Sequence, residues 1–183
     1  GNAWNYTFYV PHDIVGLTHL MGGKKNFVNK LQKIFDEGLY DPANEPDIAY
    51  PYLFSYFRGE EWRTQKLVKD LLARYFTSRP NGIPGNDDTG TMSAWAIFSM
   101  MGFYPDCPGI PEYTLTVPTF DKITIQLDPR YYKEKQLVIR TVRPVADAGY
   151  IKEVKLNGKR HTGFRIMHDE LIHAGDIEFI LTR

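Results

Sequence analysis

The chain has 183 residues, 43% apolar and 24% charged, a balance that fits one large globular domain or two small ones. Its 22 Lys and Arg offset its 22 Asp and Glu, which excludes broad electrostatic capture of nucleic acid. No apolar run reaches the roughly 20 residues of a membrane helix, and the single cysteine, Cys107, excludes an internal disulfide or a CxxC metal site.

Up to about residue 105 the apolar spacing is helical. Asp13 to Met21 reads as a helix closed by Gly22-Gly23. Phe27, Leu31 and Phe35 recur one turn apart, with Val28 and Ile34 beside them. Asp47 to Phe57 reads as a further helix ending near Gly59. Leu67, Leu71 and Tyr75, joined by Val68 and Leu72, form another stripe, and Thr91 to Met101 ends at Gly102. Glycine just past a helix end suits a C-cap, which needs positive φ.

Beyond residue 105 the pattern alternates. Segments 113–117, 122–127, 136–140, 151–156 and 176–181 read as strands. Asn157-Gly158 marks a hairpin turn, because both central positions of a type I′ turn need positive φ. Helices followed by strands make an α+β chain of two packed units, residues 1–105 and 106–183, rather than a βαβ sheet. The 12 Tyr, 11 Phe and 3 Trp fill cores or stack on sugar rings, and the core reading is the simpler. Cys107 has no histidine near it in sequence and reads as a bystander in a Pro-Gly loop.

Three polar loop clusters lie in the helical half. The third, Gly82 to Gly90, sets Asp87 and Asp88 side by side just before a helix. They read as a turn and N-cap, or as a carboxylate aimed into a pocket. An inverting glycosidase needs one carboxylate to deprotonate a water and an acid to protonate the leaving oxygen, the two about 6.5–9.5 Å apart. One aspartate can cap while its neighbour works. In the second cluster, Pro42 to Asp47, Glu45 and Asp47 flank Pro46, which is a common helix start. Alternatively, Glu45 contacts a sugar hydroxyl or a hard cation. In the first cluster, Trp4 and Tyr6 suit a sugar platform, while His12 and Asp13 are polar site residues or a loop histidine and a helix cap. His161, His168 and His173 lack a plausible metal spacing and read as surface or edge residues.

Taken in order, these clusters resemble glycoside hydrolase family 92, the calcium-dependent exo-α-mannosidases. The matching run is Gly-Asn-Ala-Trp-Asn-Tyr-Thr (1–7), Val-Pro-His-Asp (10–13), Leu-Met-Gly-Gly (20–23), Asn-Glu-Pro-Asp (44–47) and Tyr-Pro-Tyr-Leu-Phe (50–54). It continues through Thr-Gln (64–65), Gly-Ile-Pro-Gly-Asn-Asp-Asp-Thr-Gly-Thr-Met-Ser-Ala-Trp (82–95) and Gly-Phe-Tyr-Pro (102–105). Each piece is weak alone, but the ordered set is specific. The tail matches more loosely, through Tyr113, Pro118 and Leu156-Asn157-Gly158.

The resemblance implies the last helices of an (α/α)6 barrel followed by a small antiparallel, sandwich-like β region. It implies inverting hydrolysis of terminal α-mannosides on mannose-containing glycans, as in N-glycan degradation, in a periplasmic or secreted protein. Asp88 stands where the family's general base stands, with Asp87 the neighbouring candidate. Glu45 falls in the substrate and calcium region, so Glu45 and Asp88 are the implied Ca2+ contacts. Trp4, Tyr6, Glu45, Asn44 and His12 are the implied substrate contacts. The family's Gly-Asn-Ala-Trp run follows a glutamate, the candidate general acid, whereas this sequence starts at Gly1. The chain therefore reads as a C-terminal fragment that is inactive alone and completed by an N-terminal partner segment. Asn44 stands where members acting on α-1,2 linkages carry histidine. A non-catalytic carbohydrate-binding or structural module is the other reading.

Overall fold

A computed structural model describes all residues, 1–183. The chain forms two compact units, one of residues 1–95 and 106–109 and one of residues 96–105 and 110–183. It is a mixed helix-and-sheet protein, as its two periodicities require. No helix is long and apolar enough to cross a membrane.

The first unit holds α1 (Ala3–Thr7), α2 (Ile14–Leu20), α3 (Lys24–Asp36), α4 (Glu61–Tyr75) and the start of α5 (Thr91–Met101). Asn2 caps α1 by accepting from the Trp4 N–H at 2.8 Å, and Asp13 caps α2 by accepting from the Gly16 N–H at 2.7 Å. On α3 the buried stripe is Phe27, Val28, Leu31 and Ile34, as its spacing predicts. On α4 it is Thr64, Gln65, Val68 and Leu71. The helix therefore starts earlier than its leucines show, and two polar residues face inward.

The helix expected from Asp47 to Phe57 is instead two 3₁₀ pieces, Glu45–Asp47 and Tyr50–Tyr56. In an α-helix running through this stretch, Pro51 would lack its donor and its ring would meet the carbonyl of Asp47. Residues 50–55 are all buried, so the segment threads the core instead of presenting one face to it. Phe8 packs edge-on against Phe27 and Tyr50, with ring centroids 4.9 and 5.6 Å apart. This aromatic cluster is where much of the Phe and Tyr content goes. Cys107 is buried, its Sγ 3.0 Å from the Pro11 carbonyl oxygen.

The second unit has two sheets. One orders β1 (Phe103–Tyr104), β2 (Glu112–Leu115) and β7 (Arg165–Met167). The other orders β3 (Lys122–Gln126), β4 (Gln136–Val142), β8 (Asp176–Thr182), β5 (Tyr150–Leu156) and β6 (Lys159–His161). Phe103, Leu115 and Ile166 of the first share one core with Ile139, Ile177 and Phe179 of the second. Asn157 and Gly158 have φ of 48° and 75° and make the predicted hairpin between β5 and β6.

The expectation of a purely antiparallel region is corrected at one pairing: β4 and β8 run parallel. The chain between them, which includes α6 (His168–Ala174), is long enough to cross over, as a parallel pair requires. His161 lies on the edge strand β6 and His173 is exposed, as expected of surface or edge residues. The His161 side chain is only 9% exposed, donating through Nε2 to the Arg165 carbonyl at 2.8 Å with Glu170 3.2 Å from Nδ1. His168 Nδ1 lies 2.8 Å from the Tyr113 hydroxyl.

Candidate active site

The loop before α5 separates the roles of its two aspartates. Asp87 accepts from both the backbone N–H and the hydroxyl of Ser93, each at 2.8 Å. These bonds hold its carboxyl below the usual carboxylate range. Asp87 is thus the cap of α5, at the helix end whose dipole favours a negative charge. Asp88 turns away. Its φ is 40°, followed by 62° at Thr89 and 91° at Gly90. Positive φ is rare outside glycine and strained for a β-branched threonine, at about 1–3 kcal/mol per residue. The Asp88 carbonyl accepts from the Thr91 hydroxyl at 2.8 Å, while its exposed carboxylate has no hydrogen bond or ion pair. The left-handed pair keeps one carboxylate free beside another that is fully used.

This loop meets the second cluster at Gly85. A Cβ there would lie 2.6 Å from the Ala43 Cβ, and Gly85 itself has φ of 63°, so only glycine allows the approach. The Trp95 indole N–H, one turn into α5, donates to the Ile48 carbonyl at 2.9 Å. Both contacts fix the 82–90 loop against the 41–48 segment. Glu45 opens the 3₁₀ piece with its carboxylate exposed and unpaired. Two residues on, Asp47 is 0% exposed.

Asp47 joins the second cluster to the first. Its Oδ2 accepts from Asn5 Nδ2 at 2.7 Å and from Asn44 Nδ2 at 3.4 Å, while Oδ1 is buried without a partner. Burial pushes its carboxyl up to about 6, against the pull of the two asparagines and the Asp41 backbone N–H. Tyr50 donates its hydroxyl proton to the Asn5 carbonyl at 2.5 Å and accepts from the Phe8 N–H at 3.1 Å. Burial raises the Tyr50 phenol well above its ordinary value.

The remaining predicted residues differ in availability. Tyr6 is 53% exposed, an open aromatic face. Trp4 packs on the helical core, with the ammonium groups of Lys30 and Lys33 lying 5.8 and 5.2 Å from its ring centroid. His12 is exposed, and no hydrogen bond or ion pair joins it to the three loops. A groove of about 350 Å³ between α3 and α4, lined by Phe35, Trp62, Arg63 and Arg74, holds none of these residues.

No three His, Cys, Asp or Glu side chains of this chain converge on one point. The donor chemistry of Glu45 and Asp88 nevertheless suits a hard cation, since both carboxylates are unpaired and face solvent. Calcium takes about six to eight oxygen ligands, including carbonyls and water, so these two are at most part of such a set.

The sequence profile of the glycosyl hydrolase family 92 catalytic domain matches residues 1–183. The chain belongs to glycosyl hydrolase family 92. An uncharacterized secreted glycosidase of Arthroderma benhamiae is 31% identical over 180 residues, covering 97% of this chain and 23% of that protein. A family 92 α-mannosidase of Bacteroides thetaiotaomicron superposes with a TM-score of 0.88 at 28% identity, covering 100% of this chain and 25% of the other. The same enzyme has also been solved in complex with mannoimidazole. A family 92 inverting mannosidase of that organism gives 0.85 at 31% identity, covering 99% of this chain and 27% of the other. The chain thus spans about a quarter of the length of these relatives.

Three residues of the candidate site escape sequence reasoning: Asn5 between Trp4 and Tyr6, Asp47 beyond Glu45, and Tyr50. Asp47 reads as a helix start, and nothing local marks its burial. The one signal in the sequence is that Asn5, Asp47 and Tyr50 each lie inside a matched run.

Proposed function

We propose that this chain supplies the base side of the active site of an inverting, calcium-dependent exo-α-mannosidase acting on terminal α-mannosides of glycans. One observation carries the reading: Asp88 presents a free carboxylate from a strained loop while Asp87 is consumed as the α5 cap. In this reading Asp88 takes a proton from water as that water attacks the anomeric carbon, opposite the departing oxygen. Asp87 holds the loop and takes no proton. The general acid would lie outside these 183 residues, which span about a quarter of the length of the relatives.

Glu45 and Asp88 would contribute oxygens to calcium, with the other ligands from the rest of the protein. When bound, the cation supplies Lewis-acid contact to mannose hydroxyls. Tyr6 offers the open aromatic face for the sugar, and Asn44 and His12 border the substrate. Residues 1–105 would be the last helices of an (α/α)6 barrel and residues 106–183 its closing β region. The secreted glycosidase among the relatives supports a secreted or periplasmic location, and N-glycan mannose would be the substrate.

The test is turnover of an α-mannoside by the full-length protein carrying Asp88→Asn. Loss of turnover with folding intact is expected, and retained activity removes Asp88 from the base role. The isolated 183-residue chain should be inactive, and clear hydrolysis by it would overturn the division of acid and base. A second reading, a carbohydrate-binding module without catalysis, draws on the exposed Tyr6 ring. Calcium-dependent mannose binding by a full-length protein without turnover would favour it.

A further inference from the structure

Asn5 and Asp47 form a buried, hydrogen-bonded polar pair in the helical unit, 3% and 0% exposed, and no step of the proposed reaction uses them. Asn5 spends both of its side-chain donors and its amide oxygen on fixing chain segments. Its Nδ2 donates to Asp47 Oδ2 at 2.7 Å and to the Leu39 carbonyl at 3.2 Å, and its Oδ1 accepts from the Asn2 N–H at 2.8 Å. Asp47 also accepts, on the same Oδ2, from Asn44 of its own segment at 3.4 Å. Its other oxygen, Oδ1, has no partner.

An unpaired oxygen on a buried carboxylate opposes folding. Apolar residues of similar volume in place of both partners would fit such a site at lower cost. What the carboxylate does that an apolar residue cannot is hold two amides from segments far apart in sequence at one point. One segment is α1, with Trp4 and Tyr6 on either side of Asn5. The other is the loop of Asn44 and Glu45.

We propose that Asn5 and Asp47 are positioning residues, a buried clamp that sets α1 against the Glu45 loop so that the groups carried by both meet one substrate. The proposal rests on the mannosidase reading for what is positioned. Neither residue touches the substrate. The clamp acts through the placement of Tyr6 and the start of α1 on one side and of Glu45 on the other.

The test uses the full-length protein with Asp47→Ala, Asp47→Asn, Asn5→Ala and the double alanine variant, assayed on an aryl α-mannoside. Asp47→Ala and Asn5→Ala should each lower kcat about 100-fold, the effect of a misplacement of roughly 1 Å, with KM little changed. Asp47→Asn keeps an acceptor for Asn5 and should recover most of the loss. The double variant should be no worse than the poorer single one, because both remove the same clamp. Wild-type turnover in Asp47→Ala, multiplying losses in the double variant, or equal damage from Asp47→Asn and Asp47→Ala would each overturn the clamp. If Asp47→Ala does not fold, Asn5→Ala must lose turnover while Asp47→Asn keeps it. A wild-type protein that hydrolyses no α-mannoside defeats the mannosidase reading alone. The clamp is then judged by amide exchange, which Asp47→Ala must speed in residues 2–9 and 44–50 and leave unchanged in residues 110–183.

Discussion

Replacing Asp47 with asparagine should change how the stability of the helical unit depends on pH. The Asp47 carboxyl titrates near 6 in the folded chain, against an ordinary value of 3.8. Between those values the folded state holds more protons than the unfolded state, so stability falls as pH rises through the window and is level above it. The difference corresponds to about 3 kcal/mol, all of it lost by pH 7. Asparagine has no such titration. The stability of Asp47→Asn minus that of the wild type should therefore climb by about 3 kcal/mol from about pH 3.5 to about pH 7.5. Urea unfolding followed by tryptophan fluorescence is the assay, with EDTA present to strip cations from nearby Glu45. All three tryptophans, Trp4, Trp62 and Trp95, lie in the unit that contains Asp47. A difference that stays constant with pH would refute the assignment of a raised carboxyl to Asp47.

In the full-length protein, Asp88→Asn, which tolerates the same positive φ, should cut turnover by about 10²–10⁴-fold with little change in Tm, whereas Asp87→Ala should lower the Tm by uncapping α5. The reverse pattern would exchange their roles. Gly85→Ala places a methyl 2.6 Å from the Ala43 Cβ and should destabilise the chain by about 1–3 kcal/mol in urea unfolding, with a fall in kcat/KM. A neutral result would mean the two loops are not in contact. Phe179→Ala, at a fully buried position, should cost about 3–5 kcal/mol by far-UV circular dichroism in urea. Chelation should abolish turnover of the full-length protein and added calcium restore it. Undiminished activity in chelator would exclude a required cation.

Features governed by neighbours in sequence were legible from the residues. Thr91–Met101 is a helix, Gly102 follows it with φ of 92°, and Asn157-Gly158 turns a hairpin. The alternation in Asp176–Thr182 places Ile177, Phe179 and Leu181 in the core. Each of these depends on side-chain period or on allowed φ, which a few residues determine. The period of the stretch from Asp47 to Phe57 was not legible because residues 50–55 are all buried and leave no polar face to set it. Pro51 was the cue against an α-helix. The parallel β4–β8 pairing has no local mark, since strands look alike in either direction.

The candidate site divides along the same line. Ordered motifs around Trp4, Glu45 and Asp88 were enough to place the chain in its family. Which of two adjacent aspartates is free was not readable, because it turns on the φ of Asp88 and on which carboxylate reaches Ser93. Nor was the bond between Asn5 and Asp47, residues 42 positions apart. By itself the sequence determined the periods, the turns and the kinds of chemistry available in three loops. Only the tertiary structure decided which loops meet and which polar groups are used up, because burial and pairing belong to contacts between distant segments.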